Sequence, residues 1–406
     1  MSGKAVSSWS LTRDNTGRIT RRSEAVGGNF ATYDYIYDAN GRLLKVLKDN
    51  VPVEEYAYDE NGARIFEMNT LRGIASRSYE YYDEDHLVKA GEWIYQYNAD
   101  GFLTSKTNST NPTDRTVYSY SSRGELLTVI LPDGKRIYYV CDPLGRRIAK
   151  KVNGVVVEKY LWQGMTRLLA VYDGNNTLLM RFEYTDERMP VAMRMGGATY
   201  YLTYDQVGSL RAVADFSGNV VKQVVYDSFG NVLSDTNPGF TVPFGVAGGL
   251  RDRDTGLVRF GYRDYDPEIG RWTAKDPIGF EGGNTDLYGY VLNNPVNYID
   301  PYGLVDWGKV VGGGIAAVGG AVGVVAGAVV AGIGVVEAGS VAAGNVYGPV
   351  LATHTIGAGG MLIGAGITSG WFGLKIMYQG LFEEADWLDG AMKIDQSPAQ
   401  INPCFG

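Results

Sequence analysis

The residues best suited to chemistry in this chain are aspartates in a repeated setting. Asp276-Pro277-Ile278-Gly279 is followed by Asp300-Pro301-Tyr302-Gly303-Leu304, and a further acid, Asp264, directly follows Arg263. Carboxylates hydrolyse a peptide bond when one is ionised, to activate water, and another keeps its proton, to polarise the carbonyl. Two acids crowded into a low-dielectric site cannot both ionise, so their pKa values separate and supply both states. The planar fork of Arg263 is suited to hold one of them ionised. Asp-Pro-x-Gly is equally an ordinary β-turn, with Asp, Pro and Gly at its first, second and fourth positions. Asp142-Pro143 and Asp266-Pro267 are expected to be turns only. The later pair differs in where it ends, because the composition changes abruptly after Leu304. That position suggests a protein that cuts itself at a domain border.

The border is visible in simple counts. Of 29 tyrosines, 27 precede residue 305, 23 of 55 glycines lie in the last 102 residues, and Arg271 is the last arginine. A chain of 406 residues accommodates two or three domains, or one large β domain with an appendage. A net charge of −8 gives no electrostatic reason to bind nucleic acid. The short basic clusters Arg146-Arg147 and Lys150-Lys151 are expected on solvated strand faces. Cys141 and Cys404 build no disulfide framework, and with only two histidines no metal site or cofactor is expected. His86 and His354 are poorly placed for Ser/His/Asp chemistry. The start, Met1-Ser2-Gly3-Lys4-Ala5-Val6-Ser7-Ser8-Trp9, has no apolar run, so a Sec signal peptide is not expected.

The elements that must position these acids come from a repeat. Tyr35-Ile36-Tyr37-Asp38-Ala39-Asn40-Gly41-Arg42-Leu43 recurs as Tyr56-Ala57-Tyr58-Asp59-Glu60-Asn61-Gly62-Ala63-Arg64-Ile65 and as Tyr95-Gln96-Tyr97-Asn98-Ala99-Asp100-Gly101-Phe102-Leu103. Further copies are Tyr118-Ser119-Tyr120 with Gly124, Asp142-Pro143-Leu144-Gly145-Arg146, Tyr204-Asp205 with Gly208 and Tyr226-Asp227 with Gly230; adjacent clear copies lie 21 to 23 residues apart. Tyr-x-Tyr puts both rings on one face of a strand, because side chains alternate with period two. Asp-x-Asn-Gly is turn chemistry, the Asp capping backbone amides and the Gly supplying positive φ. Stacked hairpins of this kind build a long twisted antiparallel sheet with an aromatic ladder.

This pattern resembles the YD-repeat, or Rhs, family: the shell-forming part of bacterial Rhs toxins, the C component of insecticidal toxin complexes and the teneurin extracellular shell. The resemblance covers residues 10–304 and implies a hollow β cocoon. The repeats are too few to close a full cocoon alone, which leaves open a missing upstream portion, an open shell or an encapsulating partner. Residues 244–304 resemble the Rhs repeat-associated core. They contain Arg263-Asp264-Tyr265-Asp266-Pro267-Glu268-Ile269-Gly270-Arg271, Asp276-Pro277-Ile278-Gly279, Asn293-Asn294-Pro295-Val296-Asn297 and Asp300-Pro301-Tyr302-Gly303-Leu304 in family order. In the family this core is a self-cleaving aspartyl protease acting after the terminal Leu. The resemblance therefore implies a scissile Leu304–Val305 bond, with Asp264, Asp276, Asp300 and Arg263 as the catalytic set. The fold expected is mainly β: a YD-repeat shell over 1–240, the core as a plug over 241–304, and an α-helical, Gly/Ala-rich region over 305–406.

The tail carries no charge over 310–336 or over 338–374. Each run exceeds the ~20 residues that cross a bilayer as a helix. Gly319, Gly323 and Gly327, and again Gly360 and Gly364, have the spacing at which membrane helices pack closely. Three readings stay open: a membrane-inserting hairpin freed by cleavage, an apolar spacer, and a soluble or degenerate remnant. A self-processing toxin carrier implies an immunity protein, a secretion-system or shell partner, and a secreted or cell-surface location reached by a non-Sec route. The competing function is a YD-repeat surface scaffold, anchored by its tail and making no cut.

Overall fold

The computed structural model describes residues 4–185, 188–282 and 285–304, with three two-residue strand pieces, Ala321–Val322, Val324–Val325 and Ala331–Gly332, beyond them. The chain divides into two compact units, Met1–Ala343 and Gly344–Gly406, and the second lies outside the described residues. The helical tail expected over 305–406, including the runs 310–336 and 338–374, also lies outside them apart from the six residues given as strand. Among the described residues no helix is long and apolar enough to cross a membrane.

One repeat shows how the sequence makes the sheet. Asn29–Tyr37 and Leu43–Lys48 pair antiparallel, with Tyr35 opposite Val46. Between them the Gly41 N–H bonds Asp38 O at 3.0 Å, with Gly41 at φ 83. One carboxylate oxygen of Asp38 accepts from the amides of Asn40 (2.9 Å) and Arg42 (2.8 Å), as an Asx-turn requires. Asp142 and Asp227 hold their own turns in the same way. The tyrosines divide the work along the inward face. The first of each pair, Tyr35, Tyr56 and Tyr79, is buried. The second reaches back to an earlier strand: Tyr37, Tyr58, Tyr81 and Tyr184 donate to the carbonyls of Ile19, Leu43, Arg64 and Leu168 at 2.6–2.8 Å. Such bonds fix register in addition to the ladder, because a one-residue slip would turn every ring outward.

From Ser7–Arg13 to Val232–Asp235 each strand pairs with the next. The two ends of this meander meet: Trp9 Nε1 donates to Tyr204 O at 3.1 Å, and Val6 and Val26 pack on Ala212 and Ala214. Inside lies a second, four-stranded sheet of Leu250–Arg251, Val258–Phe260, Arg263–Asp266 and Arg271–Trp272. Its core is aromatic, with Phe260, Tyr265, Trp272 and Tyr290 in mutual edge, tilted or stacked contact. This plug is stitched to the shell at the repeat turns. Asn294 donates to Gly41 O (2.8 Å), Asn293 to Gly62 O (2.7 Å), the Tyr288 hydroxyl to Gly101 O (2.7 Å) and Arg259 to Gly145 O (3.1 Å). Each turn carbonyl buried by the plug thereby keeps an acceptor's partner.

Two expectations need correction. The repeats, expected to be too few to close alone, form a closed barrel because the first strands pack on the late ones. The basic clusters, in turn, are not all solvated. Arg147 and Lys150 do not lie on a solvated strand face. They are 2% and 5% exposed and point inward to Asp264 and Asp252 of the plug. The plug supplies carboxylates that no local pattern reveals, and paired charges tolerate burial.

Candidate functional site

Two Asp-Pro-x-Gly turns face one guanidinium. In the first, Gly279 N bonds Asp276 O at 3.0 Å, and in the second, Gly303 N bonds Asp300 O at 3.3 Å. Each aspartate uses one oxygen to cap its own turn: Asp276 Oδ1 accepts from Ile278 N (3.0 Å) and Asp300 Oδ1 from Leu304 N (3.1 Å). The other oxygen of each meets Arg263 Nη2, at 2.8 Å for Asp276 and 3.4 Å for Asp300. The aspartates that cap the turns are therefore the ones that meet Arg263, and the two readings of the motif do not exclude one another. Arg263 Nη1 donates to Leu287 O at 3.1 Å, and the guanidinium lies 4.3 Å from the centre of the buried Trp272 ring. Fork bonds and ring stacking fix its orientation, for which lysine is no substitute.

The hairpin of Val258–Phe260 and Arg263–Asp266, with the Asp300 turn, grips the segment that ends at Leu304. Tyr262 N bonds Tyr302 O at 2.9 Å, Arg263 Nε bonds Gly303 O at 2.6 Å, and Leu304 N bonds Asp300. Three consecutive residues are thus held by their main chain. The approach is close: a Cβ on Gly261, whose φ is +43, would stand 2.3 Å from Tyr302 O. Only glycine permits that contact.

Asp264 belongs to a different cluster. Neighbours on a strand face opposite sides of the sheet, so Asp264 turns away from the Arg263 cluster. Its two oxygens accept from Arg147 Nη2 at 2.8 Å and Arg259 Nη1 at 2.7 Å. Of the residues expected to act together, the structure groups Arg263, Asp276, Asp300 and Leu304, and seats the Asp264 carboxylate elsewhere. Val305 lies outside the described residues.

Electrostatics follow the stoichiometry. Burial pushes the Asp276 and Asp300 carboxyls up, against the pull of Arg263; Asp300 is raised further by Asp276. Burial also acts to raise Asp264, but Arg147 and Arg259 outweigh it and hold that carboxyl below its ordinary value. Burial alone pulls the Arg263 pKa down. Among the described residues no acid, His or Cys cluster is arranged to hold a metal ion. Sequence reasoning missed Gly261, Tyr262, Trp272 and Leu287. The one available signal was Gly261, two positions before the arginine.

An antiparallel meander of Tyr-Asp turns closed around a small stitched plug defines a Rhs/YD-repeat shell. The chain belongs to the teneurin YD-shell family, whose model matches residues 1–296. Human teneurin-1 is 31% identical over 312 residues, covering 73% of this chain and 11% of the relative. Teneurin-3 of Danio rerio is 30% identical over 298 residues, covering 70% and 11%. The chain thus spans 11% of the length of these relatives. Among solved structures, the Photorhabdus luminescens Tc holotoxin pore with the TccC3-D651A mutation is 20% identical with a TM-score of 0.38, covering 73% of this chain and 19% of that one. TcdB2-TccC3-TEV is 20% identical with a TM-score of 0.35, covering 72% and 19%.

Proposed function

We propose that this chain is a shell that cuts itself once, between Leu304 and Val305, and releases the segment that follows. The observation that carries this reading is the main-chain hold on residues 302–304, by Tyr262, Arg263 and the Asp300 turn, beside the point where Arg263 meets Asp276 and Asp300. A guanidinium and one ionised aspartate are neutral together. Ionising the second would leave an uncompensated buried charge, so one proton stays on the pair. Asp276, nearer to Arg263, is the ionised base and takes a proton from water as its oxygen adds to the Leu304 carbonyl. Asp300 gives its proton to the carbonyl oxygen. Collapse of the resulting diol breaks the C–N bond, the Val305 nitrogen receives the proton held by Asp276, and a diol hydroxyl returns one to Asp300. The products are a carboxyl at Leu304 and an amine at Val305. Holding the reacting bond beside the acids supplies much of the rate. In this reading Asp264 is a structural anchor.

The released segment is then the effector. Its two charge-free runs, 310–336 and 338–374, suit insertion into a membrane, with an immunity protein as the neutralising partner. Leakage of dye from liposomes exposed to the released fragment tests that part; none at micromolar protein refutes it. Membership of the teneurin YD-shell family favours one second reading, a surface scaffold that never cuts, in which Arg263 only pins the last turn. Denaturing electrophoresis of the purified chain decides between them. Self-cleavage predicts two fragments from the native sequence and one band from Asp276→Asn. An undivided native chain supports the scaffold.

A further inference from the structure

A small cavity lies where the plug meets the shell on the Asp264 side, and its wall carries more positive charge than the acids paired with it among the described residues balance. Arg146, Arg147, Arg188 and Arg259 line it, together with Trp162 and Phe244. Arg146 is matched by Asp142 at 2.6 Å. Arg147 and Arg259 share the single carboxylate of Asp264, leaving one charge over. Arg188 donates only to a main-chain carbonyl, Val207 O at 3.3 Å, and no carboxylate among the described residues acts on it; burial pulls its pKa down. The Nε atoms of Arg147 and Arg259 are buried without an acceptor. Arginine does not shed its proton in a protein; Arg147 and Arg259 are buried and Arg188 is half-buried, and a buried charge without a counter-charge is strongly disfavoured. A water molecule would satisfy donors but not the charge.

We propose that this cavity binds a small monovalent anion of the halide class. Its volume of ≈ 20 Å³ is room for one or two waters, which suits chloride and excludes a nucleotide. The walls come from both layers. Arg146 and Arg147 belong to the shell, Arg259 to the plug, and the Arg188 guanidinium lies where a Cβ on Gly208 of the shell or Gly248 of the plug would approach it at 2.8 and 2.9 Å. The bound anion therefore fastens plug to shell.

Crystals of the full chain grown in sodium bromide, measured at the bromine edge, are expected to show an anomalous peak in contact with Arg188 and with Arg147 or Arg259. In solution, chloride is expected to raise the unfolding temperature over gluconate at equal ionic strength, with saturation, and Arg188→Gln to remove that shift. No bromine peak in the cavity, a side-chain carboxylate filling it, no chloride shift, or a shift that survives Arg188→Gln would each overturn the proposal. Should the variant fail to fold, the bromide data on the native chain decide alone. None of these readouts depends on whether the chain cuts itself.

Discussion

Arg263 and Asp264 are neighbours on one strand, yet they anchor buried clusters of opposite stoichiometry. On one face a single arginine meets two aspartates, Asp276 and Asp300. On the other a single aspartate meets two arginines, Arg147 and Arg259. The first has an acid to spare, and burial pushes both of its carboxyls up, the direction that giving and taking a proton would need. The second pins its carboxylate ionised, so it can hold two layers together but cannot cycle a proton. A surplus of acid suits chemistry; a surplus of base suits an anchor and calls for an anion.

The sharpest way to break this contrast is to remove one carboxylate from each cluster. Asp276→Asn or Asp300→Asn is expected to slow cleavage by about 10²–10⁴-fold, the usual worth of a positioned acid or base, read as fragment yield against time. Asp264→Asn is expected to lower stability by about 3–5 kcal/mol, because it strands two buried guanidiniums; the urea midpoint measures it. The fraction of Asp264→Asn that remains folded should still cleave. If it folds and does not cleave, Asp264 has a role in the chemistry and the contrast fails.

Gly261→Ala probes the grip without touching any ionisable group. The added methyl meets Tyr302 O, and a displacement of about 1 Å at a reacting bond costs about 10²-fold. Single-turnover cleavage after refolding is the assay, with circular dichroism to show that the shell persists.

The smallest effects are in pH. Asp276 and Asp300 are raised in the folded chain, so what they contribute to stability is full below the unfolded carboxylate value of about 4 and is lost as pH rises through their folded values. Asp264 is lowered, so its contribution is present above about pH 4 and is lost as pH falls through its folded value. Stability relative to Asp276→Asn should therefore decline on the alkaline side, and relative to Asp264→Asn on the acid side. Urea midpoints across that range distinguish the two slopes. Equal slopes would mean that the clusters do not differ in protonation.

The hairpin turn was legible from Asp38-Ala39-Asn40-Gly41, because capping and positive φ are local needs, and the inward Tyr35 and Tyr37 followed from strand alternation. The same alternation separates Arg263 from Asp264, although the family resemblance places them in one set. One of the two partners of Asp264, Arg147, is 117 residues away, and nothing local marks an arginine that a distant carboxylate will bury. The Asn293-Asn294 pair read as part of a motif but gave no sign that its amides cap the turns at Gly62 and Gly41. Likewise the reach of Tyr37 to the Ile19 carbonyl depends on how strands stack, not on the repeat itself.

Mass spectrometry of the native chain, denatured at once on purification, tests the account most directly. It predicts a fragment running from Val305 to Gly406 that is absent from Asp276→Asn. A single species of all 406 residues, or a break at any other bond, would contradict it.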